Sequence, residues 1–142
     1  MRYNLALTDF QLNQFEHAQQ PLVAAVKRWP DIFQLNSLYG AVLMKMGELG
    51  AAYDALRHAR ELNAQDATTI EMLYATTMDL ARQSQGKGQY PDSLRYLDEA
   101  AGLKPLDPEP HRRMAEVYML AGRPSEAKAE REKAERLAKS AG

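Results

Sequence analysis

Ala18, Ala52, Ser93 and Ala127 stand 34, 41 and 34 residues apart, and the residues around them recur with them. Seven positions after each comes an alanine: Ala25, Ala59, Ala100 and Ala134. Between these two rows lie Leu22, Leu56, Leu97 and Arg131, and five positions before the first row lie Asn13, Gly47, Gly88 and Gly122. Earlier in each copy a small residue follows a large one, as Leu5-Ala6, Tyr39-Gly40, Tyr74-Ala75 and Met114-Ala115, and three positions on come Asp9, Leu43, Met78 and Tyr118. Each copy closes on Pro30, Ala64, Pro105 or Lys139. A fixed period in this range restricts a chain to a stack of like supersecondary units.

The residue types in each row say what that unit is. A small residue in mid-helix lets a second helix approach, and the large apolar residue beside it fills the space between the backbones. Glycine or asparagine five positions before the alanine row tolerates the positive φ that ends one helix and starts the next. Proline at the boundary stops the second helix. Such a hairpin has an apolar face on both helices, so only stacking on its neighbours completes a core.

These rows resemble the tetratricopeptide repeat over essentially the whole chain. The resemblance implies an all-α, right-handed superhelical solenoid of about four antiparallel helix-turn-helix repeats. We place the repeats at about 1–30, 31–66, 67–106 and 107–141, in a single domain. Three positions depart from the family pattern: Asp9 for a large apolar residue, Ser93 for alanine, and Arg131 for a large apolar residue. The first and last copies are the irregular ones, as expected where a stack meets water.

The helix pairs are expected at about 1–12 with 15–28, 33–46 with 49–62, 67–84 with 91–103, and 108–121 with 124–139. Asp31, Asp66 and Asp107 are candidate caps for the helices that follow them. Pro108, Pro91 and Pro124 suit first helical positions. The 41-residue spacing adds seven residues, placed near 81–87, which predicts a lengthened helix followed by a polar, glycine-bearing loop. That insertion is either a tolerated surface feature or a rim that touches a partner. The first copy is clipped, since Met1 falls at about its third position, and this suggests that the chain is part of something longer. The last helix carries opposite charges three and four residues apart, the pattern of a solvated terminal cap.

Composition narrows the function. Apolar residues make up 45% of the 142 residues, enough to build a core. Eighteen basic residues against nineteen acidic ones leave a net charge of -1, which supplies no field for nucleic acid or an anionic membrane surface. There is no cysteine and hence no disulfide or thiolate metal site. No apolar run approaches the roughly 20 residues of a membrane span, and no signal peptide opens the chain, which favours the cytoplasm over the periplasm. His17, His58 and His111 occupy different repeat positions and make no metal-ligand pair. We expect no enzyme activity, no metal and no cofactor.

In the tetratricopeptide family the first helices of successive repeats line a concave groove. Carried over position by position, the resemblance implies Tyr3, Leu7, Phe10 and Gln11 from the first copy, and Gln34, Ser37, Ala41, Met44 and Lys45 from the second. The third gives Thr69, Met72, Thr76 and Asp79, and the fourth Glu109, Arg112, Glu116 and Met119. Phe10, Met44, Met72 and Met119 form an adaptable apolar strip. The cationic cluster by which chaperone-binding relatives hold a terminal carboxylate is missing, because Lys45 and Arg112 lie two repeats apart. The expected function is protein binding by a peptide or helix seated in that groove. Alternatives are a regulatory or targeting segment of a larger enzyme or secretion component, and self-association through an exposed N-terminal stacking face.

Overall fold

The computed structural model describes residues 15–141, with side chains from residue 19 onward. Seven helices occur among the described residues: α1 Phe15–Arg28, α2 Phe33–Lys45, α3 Leu49–Leu62, α4 Ala67–Gly86, α5 Tyr90–Leu103, α6 Glu109–Leu120 and α7 Pro124–Ala141. No strand occurs among them. The expected first helix, with Tyr3, Leu7, Phe10 and Gln11, lies outside the described residues.

The same turn joins three helix pairs. Residues 46–48, 87–89 and 121–123 form joints of equal length between α2 and α3, α4 and α5, and α6 and α7. The middle residue is a glycine at positive φ: Gly47 at 79°, Gly88 at 73° and Gly122 at 74°. Each glycine N–H donates to the carbonyl three residues back, on Met44, Gln85 or Met119. The next N–H reaches the carbonyl five residues back, on Leu43, Ser84 or Tyr118, at 2.8–2.9 Å. That pair of bonds satisfies carbonyls a helix end would otherwise leave open, and the left-handed residue between them suits glycine.

The lengthened third copy therefore has no longer loop. The seven extra residues are taken up as helix, which makes α4 20 residues long against 13 for α2 and 12 for α6. Seven residues turn a helix about 20° short of two full turns, so the faces before and after the insertion nearly coincide. The structure corrects one row of the repeat on this point. Ala75 is exposed. Counting back from the turn glycine, the counterpart of Gly40 and Ala115 is Ala81, which is buried. The second half of α4 carries core residues, since Thr76, Thr77, Met78, Leu80, Ala81 and Ser84 are all buried.

The chain divides into two compact units, Met1–Thr76 and Thr77–Gly142, with the boundary inside α4. In the first unit Leu22 and Ala25 of α1 form a core with Leu35, Leu38 and Val42 of α2, and Val26, Tyr39 and Met46 pack against it. Gly40 meets Leu56 of α3 so closely that an added Cβ would stand 2.6 Å from the leucine Cγ and Cδ2. The first half of α4 is tied to α2 by Ser37 and Thr69, whose hydroxyls are 3.3 Å apart. Asp66 caps α4, accepting the Thr69 amide at 2.9 Å.

Asp31 does not cap α2, whose N-cap residue is Ile32 and has no side-chain cap bond. The joint is held by Asn36 instead, which donates to the carbonyls of Pro30 and Ile32 at 2.8 and 3.0 Å.

In the second unit Leu97, Ala100 and Leu103 of α5, Met114, Ala115 and Val117 of α6, and Ala127 and Ala134 of α7 are buried. Ser93 stands where the other copies have alanine, and its hydroxyl donates to the Ala81 carbonyl at 2.8 Å. Asp107 accepts the Glu109 amide at 2.9 Å, and α6 begins at Glu109, one residue after Pro108.

Gly40→Ala tests the close approach of α2 and α3. Alanine gains about 0.5–1 kcal/mol as a better helix former, but overpacking against fully buried Leu56 costs about 1–3 kcal/mol. The expected outcome is a lower urea midpoint with an unchanged m-value. An equal or higher midpoint would show that the two helices have room to spare.

Candidate functional site

The first helices of the repeats present the carried-over groove residues unevenly. In the first unit Gln34 and Lys45 are exposed, Ser37, Met44 and Met72 are half-buried, and Ala41 is buried. Thr69 and Thr76 are fully buried. Thr69 is engaged with Asp66 and Ser37, and the Thr76 hydroxyl donates to the Met72 carbonyl at 2.8 Å. Both threonines therefore serve packing in this structure. Met44 and Met72 remain as half-exposed apolar surface on α2 and on the first half of α4.

In the second unit Asp79, Arg112, Glu116 and Met119 are exposed, Glu109 is half-buried, and Met119 retains 51% of its accessible surface. Leu120 beside it retains 55%, so α6 ends in an apolar tip. The charged residues of this face have partners three positions away on their own helices. Asp79 lies 3.6 Å from Arg82, Arg112 3.5 Å from Glu109, and Glu116 3.7 Å from Arg113. The first two pairs are the more exposed, and such pairs contribute little to stability and give way readily to a partner's charges. Phe10 and Gln11 lie outside the described residues.

Two histidines take part in specific bonds that repeat position alone does not reveal. The His58 ring N–H donates to the Pro30 carbonyl at 2.9 Å, with Asp31 at 3.3 Å from the same nitrogen and Glu61 at 3.6 Å from the other. The Pro30 carbonyl, then Glu61 and Asp31, hold the His58 pKa above 6.5, against partial desolvation that lowers it. His111 Nδ1 lies 2.7 Å from Glu130, which also accepts from Lys133 at 3.2 Å. Glu130 stands where α3 has Ala55 and α5 has Tyr96, so a side-chain contact with His111 joins α6 to α7 at a position that those two helices leave uncharged. A single sequence shows neither pairing, because the partners lie 27 and 19 residues apart in the chain.

No group of three or more histidine, cysteine, aspartate or glutamate residues could hold a metal among the described residues. No described helix is long and apolar enough to cross a membrane.

Several solved structures share this fold. MamA AMB-1 matches with a TM-score of 0.67 at 19% identity, over 99% of this chain and 73% of that one. MamA MSR-1 matches with a TM-score of 0.64 at 18% identity, over 99% and 77%. MamA 41-end from Desulfovibrio magneticus RS-1 gives 0.59 at 19% identity, over 98% and 75%. At these identities the likeness shows the fold, an all-α array of helical repeats. No protein-family model matches the chain, and no curated protein matches its sequence.

The bonds at His58 make a pH prediction. The folded-state pKa is raised, so the protonated ring favours the folded state. That contribution is complete below the ordinary histidine range and is lost as pH rises through the raised value. His58→Gln should therefore lower the melting temperature more at pH 5.5 than at pH 8.5, and differential scanning calorimetry reads the difference. An equal decrease at both pH values would show that the ring acts without its charge.

Proposed function

We propose that this chain is a tetratricopeptide-type binding module that holds a peptide or helix of another protein against its first helices and performs no catalysis. The observation that carries the reading is apolar surface kept on those helices. Met44 and Met72 are half-exposed in the first unit, and Met119 and Leu120 are exposed in the second. Flexible thioethers fit side chains of varied shape, and exposed Gln34 on α2 offers a side-chain amide to the backbone of a bound segment. The fold shared with the MamA structures supports the reading at the level of architecture alone. Fold does not name a ligand.

The charges argue about specificity. Lys45 is exposed on α2 in the first unit, and in the second Arg112 already pairs with Glu109. Neither provides a cluster for a terminal carboxylate. Recognition is then by shape and apolar contact, with several weak interactions summing to a modest affinity.

The test is affinity capture with the double variant Met44→Glu and Met72→Glu. Both side chains are half-exposed, so the fold should survive and circular dichroism should match the wild type. Desolvating two added carboxylates should weaken partner capture at least about tenfold. Undiminished capture by the folded double variant would place the binding surface elsewhere.

A further inference from the structure

The backbone bonds of the three turns number the first helices in a way that does not depend on where a repeat starts. Gly47, Gly88 and Gly122 donate to the carbonyls of Met44, Gln85 and Met119, so these residues hold one position in α2, α4 and α6. Met44 is half-buried and Met119 is exposed, and both offer apolar surface. On α4 the start-based count puts Asp79 at this position, whereas the turn puts Gln85 there. The lengthened helix therefore carries an amide where its two counterparts carry a thioether.

The state of that amide points to a ligand. Gln85 is half-buried, yet its Oε1 is shut off from solvent and has no hydrogen-bond partner among the described residues. Arg82, three positions before it, lies 3.6 Å from Asp79 instead. Buried hydroxyls on and against α4 are satisfied, since Thr76 donates to the Met72 carbonyl and Ser93 to the Ala81 carbonyl. A carbonyl oxygen that has lost water and gained no donor raises the free energy of the unbound protein. A donor supplied by a partner removes that cost. Rotation about the last bond of the side chain is soft and exchanges Oε1 with Nε2, so the oxygen can turn toward such a donor.

We propose, resting on the binding role argued above, that Gln85 is a specificity-determining residue of the first-helix surface in the second unit, and that its occupant is an extended segment of a partner protein donating a backbone N–H to Oε1. A helical segment has spent its N–H groups on its own carbonyls beyond the first turn. An extended segment keeps them free for an outside acceptor. An amide in place of methionine thus favours extended over helical partners, and it does so without adding charge.

Short random peptides displayed on phage and selected on the full chain supply the probe. Each enriched sequence is synthesised with a fluorophore, then remade with one backbone N-methyl group at each position in turn, which deletes that donor. Fluorescence anisotropy should find a position whose methylation weakens binding at least about tenfold. That penalty should vanish in Gln85→Met, which keeps the length of the side chain and lacks the oxygen. Gln85→Glu keeps an acceptor and should keep the penalty, and Gln83→Met, at an exposed position nearby, should behave as the wild type. In the free chain Gln85→Met should raise the urea midpoint, because it deletes an unpaired oxygen. A lower midpoint would show that the oxygen is already bonded at home and would overturn the proposal. A penalty that persists in Gln85→Met, a selection that enriches no peptide, or enriched peptides that circular dichroism shows bound as helices would do the same. The Met44→Glu, Met72→Glu variant separates the two readings. Undiminished peptide binding there, with the Gln85 coupling intact, would remove the first-unit surface and leave Gln85 standing.

Discussion

The positive φ of Gly47, Gly88 and Gly122 constrains everything else in the fold. Each glycine closes a helix with the same two backbone bonds and hands the chain to the next helix after three residues. A turn of fixed length and geometry fixes which faces of the two helices meet. Within that frame the small residue seven positions before the glycine, Gly40, Ala81 or Ala115, lies buried. Gly40 shows the purpose of that smallness, since Leu56 occupies the space a side chain would need. Stability then comes from apolar faces that stack, such as Leu22 and Ala25 against Leu35, Leu38 and Val42.

The insertion in the third copy shows how such a frame tolerates change. Seven residues fit almost two helical turns, so α4 lengthens without rotating its faces and without altering the turn after it. Its first half keeps register with the preceding helices through Thr69 and Ser37, and its second half keeps register with the turn at Gly88. An insertion of five residues would have rotated the face by about 140° and exposed the core stripe. The division of the chain into two compact units falls at Thr76 and Thr77, inside this lengthened helix.

The spacing of glycines and alanines made three helix pairs and the turns within them legible in advance, because both residue types act through local geometry. The lengthening of α4 was legible as well, but its register was not. A start-based count makes Ala75 the small residue, whereas the structure counts from the turn and buries Ala81. The caps divided similarly. Asp66 caps α4, but Asp31 lies one residue too early for α2 and faces His58 instead. For the candidate site, the carried-over positions include half-buried Met44 and Met72 and exposed Met119, but sequence position did not tell which threonines are consumed by packing. Thr69 and Thr76 are buried, with their hydroxyls bonded to Asp66 and to the Met72 carbonyl. The pairing of His111 with Glu130 depends on tertiary neighbours and has no local signature.

A chain built from hairpins that need neighbours presents apolar and charged surface in strips, and a binding role on the first helices uses the strip that keeps Met44 and Met72 half-exposed. The most direct measurement is site-specific photo-crosslinking of the captured partner. A photoreactive residue would be placed in turn at Met44 and Met72, and at exposed Asp54 and Arg60 on α3. The account predicts crosslinks from the two methionine positions and none from α3. Crosslinks from Asp54 or Arg60 alone would contradict it and move the binding surface to the second helices.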